Sequence, residues 1–213
     1  MLETFLSFLP LSLGGAVNPF GILIIFFLLA QENKPLKKTW LFILGSITFL
    51  VLLIFLEYFL LKYTIGVGRH QTSISASIDV AFGVLLIFLA IFRKAKPKVK
   101  SQKSGKSWKM FVFGFVFMIT DLSTLVLYIA AVKIIFEDRL ILPINILFFA
   151  LNILIAMSTM ALPVFLATVA PKKSSHMLSL LKNFISKYGQ LVSKIVIILI
   201  ALYLIFKGVR FFI

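Results

Sequence analysis

Residues 39–61 read TWLFILGSITFLVLLIFLEYFLL, a run of 23 residues carrying one charge, Glu57. A helix rises about 1.5 Å per residue and the hydrocarbon core of a bilayer is about 30 Å thick, so roughly 20 apolar residues cross it once. Comparable runs lie at about 4–30, 73–92, 110–135, 141–170 and 192–212. Charged residues are only 14% of the chain, against roughly a quarter in a soluble domain. A core built from 213 residues that are 61% hydrophobic cannot hide that much apolar surface from water. Lipid is therefore the expected solvent, and the chain reads as an all-α integral membrane protein with six transmembrane helices.

The links between the runs set the orientation. Link 31–38 holds Lys34, Lys37 and Lys38, and link 171–194 holds Lys172, Lys173, Lys182, Lys187 and Lys194. Link 93–109, RKAKPKVKSQKSGKSWK, holds eight basic residues and no acid. Together they carry 16 of the 22 Lys and Arg, and they fall on alternate links. Lys/Arg excess marks cytoplasmic loops, so both termini are expected outside, in a multi-pass protein of the plasma or inner membrane. The net charge of +15 then points to anionic head groups of membrane lipids as partners rather than to nucleic acid. Residues 174–190 place Met177, Leu180, Leu181, Phe184, Ile185 and Tyr188 on one stripe, an amphipathic helix expected on the cytoplasmic surface. The first run starts beside Glu3 with no basic segment or small-residue cleavage site, so it reads as a span and not as a signal peptide.

Several chemistries are excluded. The chain has no cysteine, hence no disulfide and no thiolate site. His70 and His176 lie in polar links and read as solvated. No nucleophile–base pair, metal-ligand cluster or phosphate-binding glycine loop is visible, and Gly105-Lys106-Ser107 lacks the upstream glycine spacing of such a loop. No catalytic residue, metal or cofactor is expected, and the chain does not read as an enzyme.

The large basic link divides the chain into a three-span half, 1–92, a linker, 93–109, and a second three-span half, 110–213. An odd number of spans per half gives the halves opposite orientation, the arrangement of inverted-repeat transporters. Aligning GGAVNPFGILII with VFMITDLSTLVLY sets Asn18 against Asp121, both near the middle of the first span of their half. Aligning 84–94 with 198–208 matches the third spans.

Polar residues inside the runs are the candidate site, because a mid-bilayer charge costs about 2.5 kcal/mol or more. Asp121 lies deepest, with Thr120, Ser123 and Thr124 around it, and is read as a substrate contact or coupling-ion site whose protonation would bias the transport cycle. Asn18 and Pro19 form a break among Gly14, Gly15 and Gly21, and a broken helix at mid-membrane must face protein or water. Asp79 lies one to two turns inside the third span, lining an outer vestibule or pairing with Arg69. Asn145 and Asn152, with Ser158 and Thr159, form a polar stripe suited to interhelical hydrogen bonds. Glu57 and Lys133 lie near span ends and are expected to snorkel. Pro163 is expected to break or kink the fifth span.

The stretches LPLSLGGAVNPFGILI, IDVAFGVLLIFLAIFRKAKPK, DLSTLVLYIAAVKII, ALPVFLATVAP and VSKIVIILIALYLIFKGV resemble the LysE-like superfamily. Within it they are most similar to the GAP family of sulfolipid- and peptidoglycolipid-addressing membrane proteins. In that family the fourth span opens on Asn-Pro-Lys, where this chain has Thr120-Asp121-Leu122. The resemblance implies export or trafficking of a lipid-like or small amphiphilic solute. Two alternatives stand beside it: a small-ion or amino-acid exporter on the same scaffold, and a non-transporting scaffold recruiting partners through its basic loops. The exposed Phe-rich faces permit a homodimer.

Overall fold

The structure, a computed structural model, describes residues 1–30, 34–64, 73–92, 108–138, 140–169 and 171–212, with backbone alone at 60–64, 74–75, 171–182 and 184–186. The basic link 93–109, Arg69 and His70 lie largely or wholly outside these residues, as do the side chains of most of the amphipathic stretch and of His176. Among the described residues the chain is entirely helical: α1 (Leu2–Ala16), α2 (Pro19–Leu29), α3 (Pro35–Thr64), α4 (Ser73–Phe92), α5 (Trp108–Thr120), α6 (Leu122–Glu137), α7 (Leu142–Val169) and α8 (Pro171–Val209).

Three helical segments are long and apolar enough to cross a membrane: Pro35–Phe59, Leu142–Val169 and Lys187–Val209. Two bent pairs, α1 with α2 and α5 with α6, meet the same test when each is taken as one unit. Helix α4 is apolar over the shorter Ala76–Phe92. Phe55, Phe88, Leu154 and Phe206 are each more than half exposed, which a soluble fold would not tolerate in such numbers and a lipid-facing surface requires.

The first break is a complete interruption. Helix α1 ends at Ala16, and α2 restarts at Pro19, bent by 48°. Sequence reasoning takes Pro19 as a residue that damages a helix from within. Here it occupies the first position of α2, where its missing N–H has no helical partner to lose. Asn18 caps α2: its Oδ1 accepts from Gly21 N at 2.8 Å. The carbonyl freed at Ala16 accepts from Asn18 N at 2.8 Å and from the Thr159 hydroxyl of α7. The break therefore leaves this mid-bundle carbonyl satisfied, as a low-dielectric setting demands.

The second break has no proline. Asp121 sits between α5 and α6, which diverge by 78°. Its N–H still bonds Phe117 O and its carbonyl still receives Leu125 N, each at 3.0 Å. The bend instead comes from Asp121 taking φ −87°, ψ 70° at the cap of α6.

Two core clusters fill the bundle. One gathers Ile25, Phe42, Met160 and Val164 among α2, α3 and α7. The other gathers Phe8, Leu86, Ala131, Ala201 and Leu204 among α1, α4, α6 and α8. Helices α4 and α8 approach closely at two reciprocal points. A Cβ at Gly83 would lie 2.7 Å from Ala201 O, and one at Gly208 would lie 2.7 Å from Ala76 O. The contact pairs ASIDVAFG (76–83) with ALYLIFKG (201–208), a different register from the one that aligns 84–94 with 198–208.

Two further expectations are corrected. Pro163 is buried inside α7, which runs unbroken from Leu142 to Val169. The amphipathic stretch 174–190 and the last apolar run are one helix, the 39-residue α8, so no turn separates them.

Candidate functional site

Asn18 and Asp121 come from the two breaks and meet. Asn18 Nδ2 donates to Asp121 Oδ2 at 2.5 Å. Ser123 Oγ donates to Asp121 Oδ1 at 3.1 Å and Thr124 Oγ1 to Oδ2 at 2.8 Å. Both central residues are 2% exposed. Each precedes the first residue of a half-helix, so the positive ends of α2 and α6 converge on one point. The carboxylate is held by three neutral donors, and the Asn18 amide spends its oxygen on capping α2 and its nitrogen on Asp121.

The other expected site residues divide. Gly15 packs α1 against Thr124 and Leu127 of α6, which lets the two breaks approach. Pro19 borders the site as the first residue of α2. Thr120 does not belong to it: the residue is exposed and its hydroxyl returns to Phe117 O at 2.8 Å. Asn152 is buried and its Oδ1 accepts from Ser12 of α1 at 2.6 Å. Asn145 caps locally, donating to Leu140 O at 2.9 Å. With Thr159 bonded to Ala16, the stripe on α7 clamps α1 at Ser12 and Ala16, while Asn145 and Ser158 bond locally.

Asp79, Lys133 and Glu57 differ from expectation. Lys133 does not snorkel. It is 2% exposed, and its Nζ donates to Asp79 Oδ1 at 2.5 Å. Lys207 Nζ lies 3.5 Å from Asp79 Oδ2, and Lys133 Nζ lies 3.7 Å from Glu137 Oε1. Asp79 is thus wholly buried between two lysines and lines no vestibule. Glu57 is also buried, at 6% exposure, and its Oε1 has no hydrogen-bond partner among the described residues. In both cases the neighbours come from other helices, whose packing decides what a side chain near a span end can reach.

A cavity of about 220 Å³ opens beside the double break. Pro19 and Phe20 of α2 and Ser123 of α6 form its inner end, and Gln190, Ser193 and Lys194 of α8 form a polar wall. Leu89 and Ile91 of α4 and Ile197 of α8 supply the apolar side. Sequence reasoning missed Gln190, Ser193 and Lys194 because they sit where a basic link passes into an apolar run, and Lys194 was counted there as a topology marker. It also missed the second break. The usable signal was an Asp followed by Ser and Thr inside an apolar run, a composition that favours helix caps.

Lipid-facing helices around a buried pair of facing breaks define a helical, multi-pass membrane protein with an internal polar site. The chain belongs to the family described as SfLAP: Sap, sulfolipid-1-addressing protein, whose profile matches residues 8–210. No curated protein and no solved structure matches the chain.

Proposed function

We propose that the protein is a secondary transporter that exports or flips a lipid-like, amphiphilic solute, built as six spans in two inverted halves. The observation that carries this reading is the juxtaposition of two broken helices with a cavity that is polar on one wall and apolar on the other. Discontinuous helices meeting at mid-bundle are the usual setting of a transporter's binding site. Lys194, Ser193 and Gln190 suit an anionic or polar head group, and Leu89, Ile91 and Ile197 suit the start of an acyl chain. The family's description as sulfolipid-addressing agrees with such a cargo.

Three features support the inverted halves. Each half opens on a broken helix whose second segment is capped by a residue of the shared contact, Asn18 or Asp121. The two last helices, α4 and α8, cross through the same pattern, Ala followed by Val or Ile at the fourth position and Gly at the seventh. In this arrangement α4 serves as the sixth span, shortened because α8 sheathes it. The basic links face the cytoplasm and attract anionic head groups, and Lys194 places the mouth of the cavity on that side. An amino-acid exporter needs fixed partners of both signs at its site. The polar wall described here offers a cation and neutral groups, which favours the amphiphile.

The test is reconstitution of the full chain in phosphatidylcholine–phosphatidylglycerol liposomes, with fluorescent phosphatidylglycerol as probe and an imposed pH gradient. Transbilayer movement of the probe should exceed that in protein-free liposomes and should fall in Lys194→Glu. Movement no faster than in empty liposomes, with correctly folded protein, would overturn the reading.

A further inference from the structure

The Asn18–Asp121 site leaves a second buried polar cluster unused. Asp79 of α4 touches Lys133 of α6 at 2.5 Å and Lys207 of α8 at 3.5 Å, and Glu137 of α6 stands 3.7 Å from Lys133. The side chains of Asp79 and Lys133 are 1% and 3% exposed, against 24% for Lys207 and 20% for Glu137. Two carboxylates and two ammonium groups make the cluster neutral, and one carboxylate ties three helices together. Charges so deep in an apolar bundle are costly, and a cheaper apolar joint would serve packing alone.

We infer that Asp79, with Lys133 as its counter-ion, is a proton-binding site that sets the position of α6. Two ammonium groups on one carboxylate exclude a metal cation and leave the proton as the ligand that can displace them. One proton from water joins the Asp79 carboxylate, making a carboxylic acid, and no other bond forms or breaks. The cluster then carries +1. The ammonium groups of Lys133 and Lys207 face each other across a neutral group, with only Glu137 still offsetting Lys133. Relief of that repulsion moves α6 away from α4 and α8. Helix α6 carries Asp121 at its other end, about 18 Å away by the helical rise, so the same movement changes the Asn18–Asp121 contact. The groups facing Asp79 are Lys133 and Glu137 from α6 and Lys207 from α8. Asp121 is the poorer candidate for this role. Its donors are Asn18, Ser123 and Thr124, and protonating it would break hydrogen bonds without setting like charges against each other.

The inference rests on the transporter reading only for what proton binding drives, and the proton site can be tested without any cargo. The chain has no cysteine, so spin labels at Ser77→Cys and Asp138→Cys, both exposed positions, report the separation of α4 and the outer end of α6. Pulsed electron paramagnetic resonance in phosphatidylcholine–phosphatidylglycerol liposomes should show the distance lengthening by roughly 2 Å or more as pH falls from about 8 to about 5. Asp79→Asn should hold the longer distance at both pH values, and Asp121→Asn should retain the shift. Lys207→Gln, at a partly exposed position that tolerates change, should shift the midpoint of the transition and serves if Asp79→Asn does not fold. A pH-invariant distance, a shift that survives Asp79→Asn, or an unmoved midpoint in Lys207→Gln would overturn it. These outcomes are read independently of lipid movement, so a failure here and a failure of the transporter reading are separate results.

Discussion

Replacing Asn18 by Ala removes two interactions at once. The cap bond to Gly21 N is worth about 0.5–2 kcal/mol by the usual cost of losing a capping side chain. The bond to the Asp121 carboxylate is worth about 1.5–3 kcal/mol on the scale for hydrogen bonds to charged groups. Interhelical bonds measured in membranes average only about 0.6 kcal/mol, so the second figure has a low floor. The expected cost of Asn18→Ala is therefore about 1–5 kcal/mol. A double-mutant cycle with Asp121→Ala separates the parts. The cap bond does not involve Asp121, and the Ser123 and Thr124 bonds do not involve Asn18, so only the shared 2.5 Å contact appears in the coupling energy. That energy should be about 0.6–3 kcal/mol. It can be measured by reversible unfolding in mixed micelles, followed by the fluorescence of Trp40 and Trp108. A coupling below about 0.3 kcal/mol, the ordinary error of additivity, would mean the two breaks do not hold each other, and the site would lose its centre.

Other outcomes follow from the same geometry. Gly83→Leu and Gly208→Leu should each destabilise the fold by about 1–3 kcal/mol through overpacking, with similar losses at both because the contacts are reciprocal; a thermal-shift series in detergent checks this. Lys133→Ala should cost about 3–5 kcal/mol by leaving Asp79 short of its nearest counter-ion, while an exposed control, Lys187→Ala, should change melting by less than about 0.5 kcal/mol equivalent. Glu57→Met should leave stability unchanged or raise it, since an oxygen without a partner is removed from the interior; a lowered melting temperature would show that the carboxyl is needed. Thr159→Val should cost about 1 kcal/mol by orphaning part of the Ala16 carbonyl's bonding, read as increased proteolysis near the first break.

The parts of the fold that depend on local chemistry were legible in the chain. Run lengths located the helices, and the Asn18-Pro19 pair marked a real interruption, because proline constrains its own backbone whatever surrounds it. The facing of Asn18 and Asp121 was also legible, since two polar residues at matching depth in inverted halves have little choice but each other. The rest needed tertiary information. Nothing in the neighbourhood of Lys133 distinguishes a lysine that reaches out to the interface from one that turns inward; the difference lies on α4 and α8, more than 50 residues away in either direction. Thr120 shows the converse. It is adjacent to Asp121 in sequence, yet the bend at that residue turns it outward. The register of α4 on α8 was misread because apolar side chains align equally well in several ways, and the two glycines that decide it are scored as weakly as any other small residue.

The two interruptions also differ in how permanent they are. Pro19 has no N–H to offer and its ring crowds the preceding turn, so α1 and α2 cannot anneal into one helix in any state the protein visits. Residues 117–125 carry no such prohibition. Every one of them can be helical, and flanking backbone bonds are already in place on both sides of Asp121. One elbow is therefore fixed by covalent structure. The other is maintained by the side chains gathered at Asp121, and is the one that a change in those bonds can straighten.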